Sequence, residues 1–310
     1  MTRVGAVDIG TNSTRLLVAE VEEGVVREVD RRLEITRLGE SVDERGILLP
    51  QAIARVRNVL AEYRRAAEEA GAARTLAFAT SAVRDAENGE AFLGEVEWSY
   101  GFATRLLSGD EEALMTFRGV SAGRELGPRT LVVDVGGGST ELILGEPEGV
   151  AFHRSLDLGC VRLTERFGPD FEAAAAHVRA VLGHLPDLDP RAAIGVAGTI
   201  TTIATLDLGL EEEDPEVVHG HRLATKTVSA WTDRLTTMSV DEIRSLRGMH
   251  PDRAPVIAAG AVVVRETLAH FGLDELEVSE HDIMHGAALA AAELPEEVEG
   301  SAPPGAHTCC

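Results

Sequence analysis

The chain is almost without lysine. Of its 29 basic residues only Lys226, in RLATKT, is a lysine. That removes the GxxxxGK[ST] phosphate loop, and with it a Walker-type NTPase, and it removes the kinase-like lysine motifs. Nothing in the sequence supports a Schiff-base role for Lys226. Aromatic residues are 4% of the 310, so a core has to be built from Ala, Val, Leu and Ile. Basic charge is also scarce: 52 acidic against 29 basic residues give a net charge of −23. A field of that sign opposes general binding to nucleic acid or to an anionic membrane. It leaves open a local anion site made of backbone N–H groups, a few arginines and a metal ion. The three cysteines, Cys160, Cys309 and Cys310, form no CxxC pair and no disulfide framework, which fits a reducing cytoplasm. No basic stretch precedes Cys309-Cys310, so the pair reads as a tail rather than a lipidation signal. No apolar run approaches the ~20 residues that span a membrane. Met1–Val7 reads as a strand stopped by Asp8, not a signal peptide.

What is present is ordinary for a globular protein: 44% hydrophobic and 26% charged residues. The length exceeds the roughly 250–300 residues at which single cores stop growing, so two domains are expected. Val4–Ile9, Ser13–Val21 and Val25–Val29 read as strands, and Pro50–Gly71 as a helix with Ile53, Val56, Val59, Leu60 and Tyr63 on its apolar stripe. Strands are expected at Thr75–Thr80 and Thr104–Leu107, and a helix at Asp110–Gly119. The pattern then restarts, with strands at Arg129–Val135, Ser139–Leu144, Gly149–Leu156, Ala192–Ala197 and Glu275–Ser279. Helices are expected near Asp170–Leu185, Thr201–Leu208, Lys226–Met238, Asp241–Leu246, Asp252–His270 and Glu280–Leu294. The acidic segment from Pro295 is expected to be disordered.

The restart is visible in the letters. DIGTNSTRLLVAE, beginning at Asp8, lies over DVGGGSTELILGE, beginning at Asp134, with six of thirteen positions identical. Two unrelated hairpins rich in turn residues are the chance alternative. The matching flanks favour a duplicated α/β domain, each copy opening with strand, polar glycine turn, strand. Each turn puts an Asp at a strand end, followed by small residues whose N–H groups can point into a shared cleft. Gly136, Gly137 and Gly138 have no Cβ, so a phosphate can approach the main chain closely. Thr11, Asn12, Ser13, Ser139 and Thr140 add hydroxyl and amide donors. Asp8 and Asp134 sit where a Mg²⁺ ion could be held, directly or through water. Either turn alone is a common hairpin; facing each other, the two make a clamp for a polyanion.

Other segments leave two readings each. Gly195–Thr202 is either an anion-binding helix N-terminus or an ordinary turn with a Thr cap. In SGDEEA, Ser108 and Glu111 have capping-box spacing, which leaves Glu112 either to accept a proton from an attacking water or simply to favour the helix dipole. Arg84, placed in a first helical turn, has either an anion partner or a bridge to Asp85 or Glu87. His281 and His285, four apart, read as a solvated helix face rather than metal ligands, and His219 and His221 as a loop pair.

Together the segments AVDIGTNSTRLLVAE, ATSAVRDAEN, LSGDEEALMTFRG, VVDVGGGSTELILG, GCVRLTERF, GVAGTITTIA, HPDRAPVIAAGA and VSEHDIMHGAAL resemble the exopolyphosphatase and guanosine pentaphosphate phosphohydrolase (Ppx/GppA phosphatase) family, in its compact two-domain form. The resemblance implies the sugar kinase, heat-shock chaperone and actin superfold. That is an α/β chain of two duplicated ribonuclease H-like domains, 1–126 and 127–294, around a cleft, with the tail at 295–310. It implies hydrolysis of a terminal phosphoanhydride, with Glu112 as general base and Arg84 contacting phosphate. Gly136–Thr140 would form a phosphate cradle opposite Asn12 and Ser13, and Asp134 and Glu141 would hold Mg²⁺, with Asp8 a further member. Mn²⁺ is an alternative ion and K⁺ an additional one. Inorganic polyphosphate, of short chains because longer members carry additional C-terminal helical domains, is the implied substrate. Guanosine pentaphosphate, the alarmone of the stringent response, is its rival. A metabolite kinase of the same superfold and a non-catalytic sensor are further rivals. No nucleic acid or membrane partner is expected, and related proteins commonly form homodimers. The family pattern has a carboxylate where His285 stands.

Overall fold

In the computed structural model, residues 1–295 are described; the tail from 296 onward, including Cys309 and Cys310, lies outside the described residues. Two mixed sheets form the frame. The first contains β1 (Thr2–Ile9), β2 (Thr14–Glu22), β3 (Val25–Glu34), β4 (Arg74–Ala79) and β5 (Ala103–Leu106), in the order β3-β2-β1-β4-β5. The second contains β6 (Thr130–Val135), β7 (Thr140–Glu146), β8 (Gly149–Leu156), β9 (Ala192–Val196), β10 (Arg222–Ala224) and β11 (Glu275–Val278), in the order β10-β11-β9-β6-β7-β8. In each, an antiparallel three-strand meander is continued by parallel strands on the far side of its first strand. The second sheet repeats the first with β10 added at its edge. This is the duplicated ribonuclease H-like α/β fold.

The central strands β1 and β6 are buried on both faces, as parallel strands covered by helices are. Alternation sends their side chains to opposite layers. Val7 and Ile9 pack toward the helix Pro50–Glu69, whereas Val4 and Ala6 pack toward the last helix, Ile283–Ala292. Likewise Val133 and Val135 join the large core that includes the helix Ile257–His270, while Val132 meets the helix Gly109–Val120. Thus the helix Gly109–Val120, from the first half of the sequence, packs on β7 and β8 of the second sheet. The helix Ile283–Ala292, from the end of the chain, packs on β1, β2 and β4 of the first. The two helices also cross each other. Their closest approach is at Gly119 and Gly286: a Cβ on Gly119 would overlap the Asp282 carbonyl, and one on Gly286 the Met115 carbonyl.

Several elements differ from the sequence reading. The helices Gly89–Tyr100 and Cys160–Phe167 were not anticipated; the second is only two turns long and lies between Gly159 and Gly168. Ile257–His270 begins later than expected because Pro255 disfavours a helical Ala254. The helix after β9 starts at Ala197, four residues early, with no side-chain cap. His281 and His285 do not form a solvated face. His285 is fully buried, its ring lies 4.2 Å from that of His281, and His281 lies 4.8 Å from His219. The Nε2 of His285 is 3.3 Å from Glu28 Oε1, at ion-pair distance but without hydrogen-bond alignment. Burial and the neighbouring imidazoles push His281 down to about 4. Among the described residues no helix is long and apolar enough to cross a membrane.

The crossing allows no added methyl. Gly286→Ala should therefore cost at least about 3 kcal/mol, the upper end of overpacking penalties, because the obstructing atom is backbone. Denaturant unfolding of the variant checks this; an unchanged midpoint would refute the close crossing.

Candidate active site

A cleft of about 280 Å³ opens between the sheets. Both glycine turns line it, with Asp8, Thr11, Asn12 and Ser13 from one and Asp134, Gly136, Gly137, Gly138 and Ser139 from the other. The turns approach closely, since a Cβ on Gly137 would overlap the Thr11 side chain, and one on Gly138 would overlap the Ser81 hydroxyl that hydrogen-bonds Thr11 Oγ1 at 2.8 Å.

The main chain of the turns is aimed by what holds its far side. In the second turn, the Gly136 carbonyl accepts from Cys160 N (3.0 Å), Gly137 O from Val161 N (2.9 Å), and Gly138 O from Arg162 Nε (2.7 Å). In a trans peptide the C=O and the next N–H point opposite ways. Tying back these three carbonyls therefore directs the N–H groups of Gly137, Gly138 and Ser139 away from the helix Cys160–Phe167, toward the cleft. In the first turn, Thr11 O accepts from Gly39 N and Asn12 O from Arg37 N, which does the same for Asn12 and Ser13. Oriented amides of this kind form an anion nest.

The two hairpins differ in charge. Asp8 pairs across its ladder with Arg15, and Asp134 across its own with Glu141; positions 15 and 141 are equivalent in the repeat. Arg15 binds Asp8 Oδ2 through Nε (2.9 Å) and Nη2 (2.7 Å), and also reaches Asp282, the N-cap of the last helix. The first hairpin thus carries its own counterion. The second has two carboxylates directly opposite, an unfavourable pairing. Thr116 Oγ1 donates to Asp134 Oδ2 (3.1 Å), and Ser155 Oγ to Glu141 Oε1 (2.7 Å).

Glu112 lies beside this pair. The Ser108–Glu111 capping box is formed, with Glu111 N donating to Ser108 Oγ at 3.2 Å and Ser108 N to Glu111 Oε2 at 2.8 Å, so Glu111 is committed to the helix start. Glu112, on the next position, is buried and lines the cleft. Burial first, then the charges of Glu141 and Asp134, push its carboxyl well above the ordinary range, while Arg84 opposes the shift. Asp134 and Glu141 are also pushed up, mainly by burial. Arg84 ends the one-turn helix Ser81–Arg84, in its last turn rather than a first, so the dipole favours it. Its Nη1 donates to the Leu107 carbonyl (2.8 Å) and to Glu112 Oε2 (3.3 Å), rather than to Asp85 or Glu87.

The structure does not bring every candidate to the cleft wall. Thr140 is buried in β7 and its hydroxyl donates to the Leu158 carbonyl. Glu141 and Arg84 stand behind the wall, next to Asp134 and Glu112 respectively. Arg253, which the sequence reading does not single out, also lines the cleft. It reaches Gly198 O (2.9 Å) and Thr202 Oγ1 (2.8 Å) in the helix Ala197–Leu208, and Glu213 (3.0 Å) in the loop that follows it. Its signal was its place in HPDRAPVIAAGA. Arg15 was equally legible, as the residue aligned with Glu141.

Among the described residues no three Asp, Glu, His or Cys side chains converge as a complete metal site. Partial sites remain. Asp8 Oδ1 is buried with no protein partner, and Asp134 faces the cleft with only one oxygen anchored. A cation held by one or two carboxylates and completed by substrate oxygens is how Mg²⁺ is usually bound. These residues fit it.

The profile of the Ppx/GppA phosphatase family matches residues 17–293. Exopolyphosphatase 2 of Mycobacterium tuberculosis is 39% identical, over 94% of this chain and 99% of its own length. The Aquifex aeolicus Ppx/GppA enzyme superposes with a TM-score of 0.79 at 32% identity, covering 93% of this chain and 99% of that one. An exopolyphosphatase from Cytophaga hutchinsonii shares the fold with a TM-score of 0.83 at 22% identity, over 92% and 96% of the two chains. Sequence match, architecture and duplicated turns agree, and the chain belongs to the Ppx/GppA phosphatase family of hydrolytic enzymes.

Proposed function

We propose that the protein is an exopolyphosphatase that removes the terminal phosphate of short inorganic polyphosphate, with water activated by Glu112. The observation that carries this is the buried Glu112 between Arg84 and the Asp134–Glu141 pair, at the edge of two amide-lined turns. The N–H groups of Asn12, Ser13, Gly137, Gly138 and Ser139 bind and orient the terminal phosphoryl oxygens. Glu112 takes a proton from water as its oxygen attacks phosphorus. The bond from phosphorus to the bridging oxygen breaks, and the shortened chain leaves with that electron pair. Burial and the neighbouring carboxylates raise the Glu112 carboxyl well above its ordinary value, which strengthens it as a proton acceptor, and Arg84 opposes the rise. Positioning and charge neutralisation supply most of the rate in such transfers.

Asp134 and Asp8, with Glu141 behind Asp134, would hold Mg²⁺ or Mn²⁺, which when bound supplies positive charge against the phosphate oxygens. A chain carrying −23 needs such local cations to admit a polyanion. The cleft volume, about 280 Å³, suits the end of a chain rather than its length. No aromatic side chain lines it among the described residues, which supports polyphosphate over a stacked guanosine nucleotide. The buried free thiol of Cys160 fits a reducing, cytoplasmic setting.

Glu112→Gln should keep the fold and lose at least ~100-fold in turnover, the usual scale of a general base. Near-normal phosphate release by that variant would refute the role. On wild-type protein, kcat/KM per chain end should fall from short to long polyphosphate; equal or greater values on long chains would overturn the short-chain reading. A third prediction concerns stability. Because folding raises the affinity of Asp134 and Glu141 for protons, the unfolded chain releases protons first as pH rises above about 4. In chelator, their contribution to stability should therefore fall as pH climbs toward neutrality. Mg²⁺ should restore it, and Asp134→Asn should flatten both effects. Melting temperatures across pH, with and without Mg²⁺, decide it; a slope unaffected by the substitution would contradict the assignment.

A further inference from the structure

One side chain ties the second phosphate turn to the first half of the molecule. Arg162, in the helix Cys160–Phe167, is mostly buried, with 15% of its side chain exposed. Its Nε donates to the Gly138 carbonyl (2.7 Å), its Nη2 to Asp85 Oδ2 (2.6 Å), and its Nη1 to Asp43 Oδ1. Gly138 belongs to the amide nest of the second half. Asp85 immediately follows Arg84 and closes the short helix Ser81–Arg84. Asp43 lies on the short helix Val42–Arg45, four residues beyond Gly39, whose amide holds the Thr11 carbonyl. One turn on, Glu165 accepts from Ser41 N at 2.9 Å, a second contact from the same helix face to the same loop.

We propose that Arg162 is a positioning residue. It fixes the Gly138 peptide, and through Asp85 and Asp43 the Arg84 and Thr11 segments, at the mutual spacing that a bound phosphoryl group requires. The inference builds on the proposed phosphoanhydride hydrolysis at this cleft. Its physical basis is the guanidinium fork, whose five donors in fixed planar geometry serve three acceptors at once. With the Gly138 carbonyl held outward, the Ser139 N–H is held inward. With both carboxylates engaged, the first-half elements cannot drift from that peptide independently. A lysine keeps the charge but reaches as a single point, so it cannot reproduce the arrangement.

The test uses Arg162→Gln and Arg162→Lys in the full chain. Thermal unfolding shows whether each folds, hydrogen exchange reads the amides of 136–139 and 81–85, and phosphate release from short polyphosphate with Mg²⁺ gives kcat and KM separately. The expected result is faster exchange at 136–139 in both variants, with kcat down at least tenfold and KM changed less. Asp85→Asn and Asp43→Asn should each give part of the loss and should add little to Arg162→Gln in a double-mutant cycle. If Arg162→Gln does not fold, the two exposed-side acids carry the same measurement. Unchanged exchange at 136–139 overturns the proposal, as does strict additivity in the cycle. If wild-type protein releases no phosphate, the hydrolytic reading fails, and exchange alone decides the role of Arg162.

Discussion

The structure depends on one close contact, the crossing of the helices Gly109–Val120 and Ile283–Ala292 at Gly119 and Gly286. Each helix covers the sheet of the other half of the sequence. Each also brings polar groups to the strand end it covers. The first carries Glu112 and Thr116 to Asp134, and the second begins at Asp282, which engages Arg15 beside Asp8. The carboxylates therefore converge because the backbones touch. A wider crossing would separate the two glycine turns and the acids between them.

Duplication supplied two equivalent hairpins, and charge made them unequal. With Arg at position 15, Asp8 is compensated within the protein. With Glu at position 141, Asp134 is left opposite a second carboxylate, and a third, Glu112, shares the same buried space. The second hairpin has a carboxylate where the first has its arginine, and is the shorter of positive charge. A bound cation would answer that deficit and would lower the repulsion met by a polyanionic substrate at the same place.

Much of this was legible in the letters. The glycine turns, their repetition and the apolar strands before them are local features, and local features are what periodicity and turn chemistry report. The Ser108–Glu111 cap was readable for the same reason and correctly set Glu111 apart from Glu112. What was hidden depends on distant segments. The burial of Glu112 comes from a sheet that starts after residue 126, and the burial of His285 from β3 and the loop at His219. Thr140 matched a motif, but strand alternation turned its hydroxyl toward Leu158. Helix periodicity could not show Arg162 as a three-way contact, since its partners are 24 to 119 residues away.

In the proposed reaction, water attacks the terminal phosphorus in the cleft between the turns. Hydrolysis of short polyphosphate in ¹⁸O-labelled water with Mg²⁺ tests it directly, by mass analysis of the released phosphate and of the shortened chain. Attack at the terminal phosphorus leaves one ¹⁸O in each released phosphate and none in the remaining chain. Label in the shortened chain, or no release of phosphate, would contradict it.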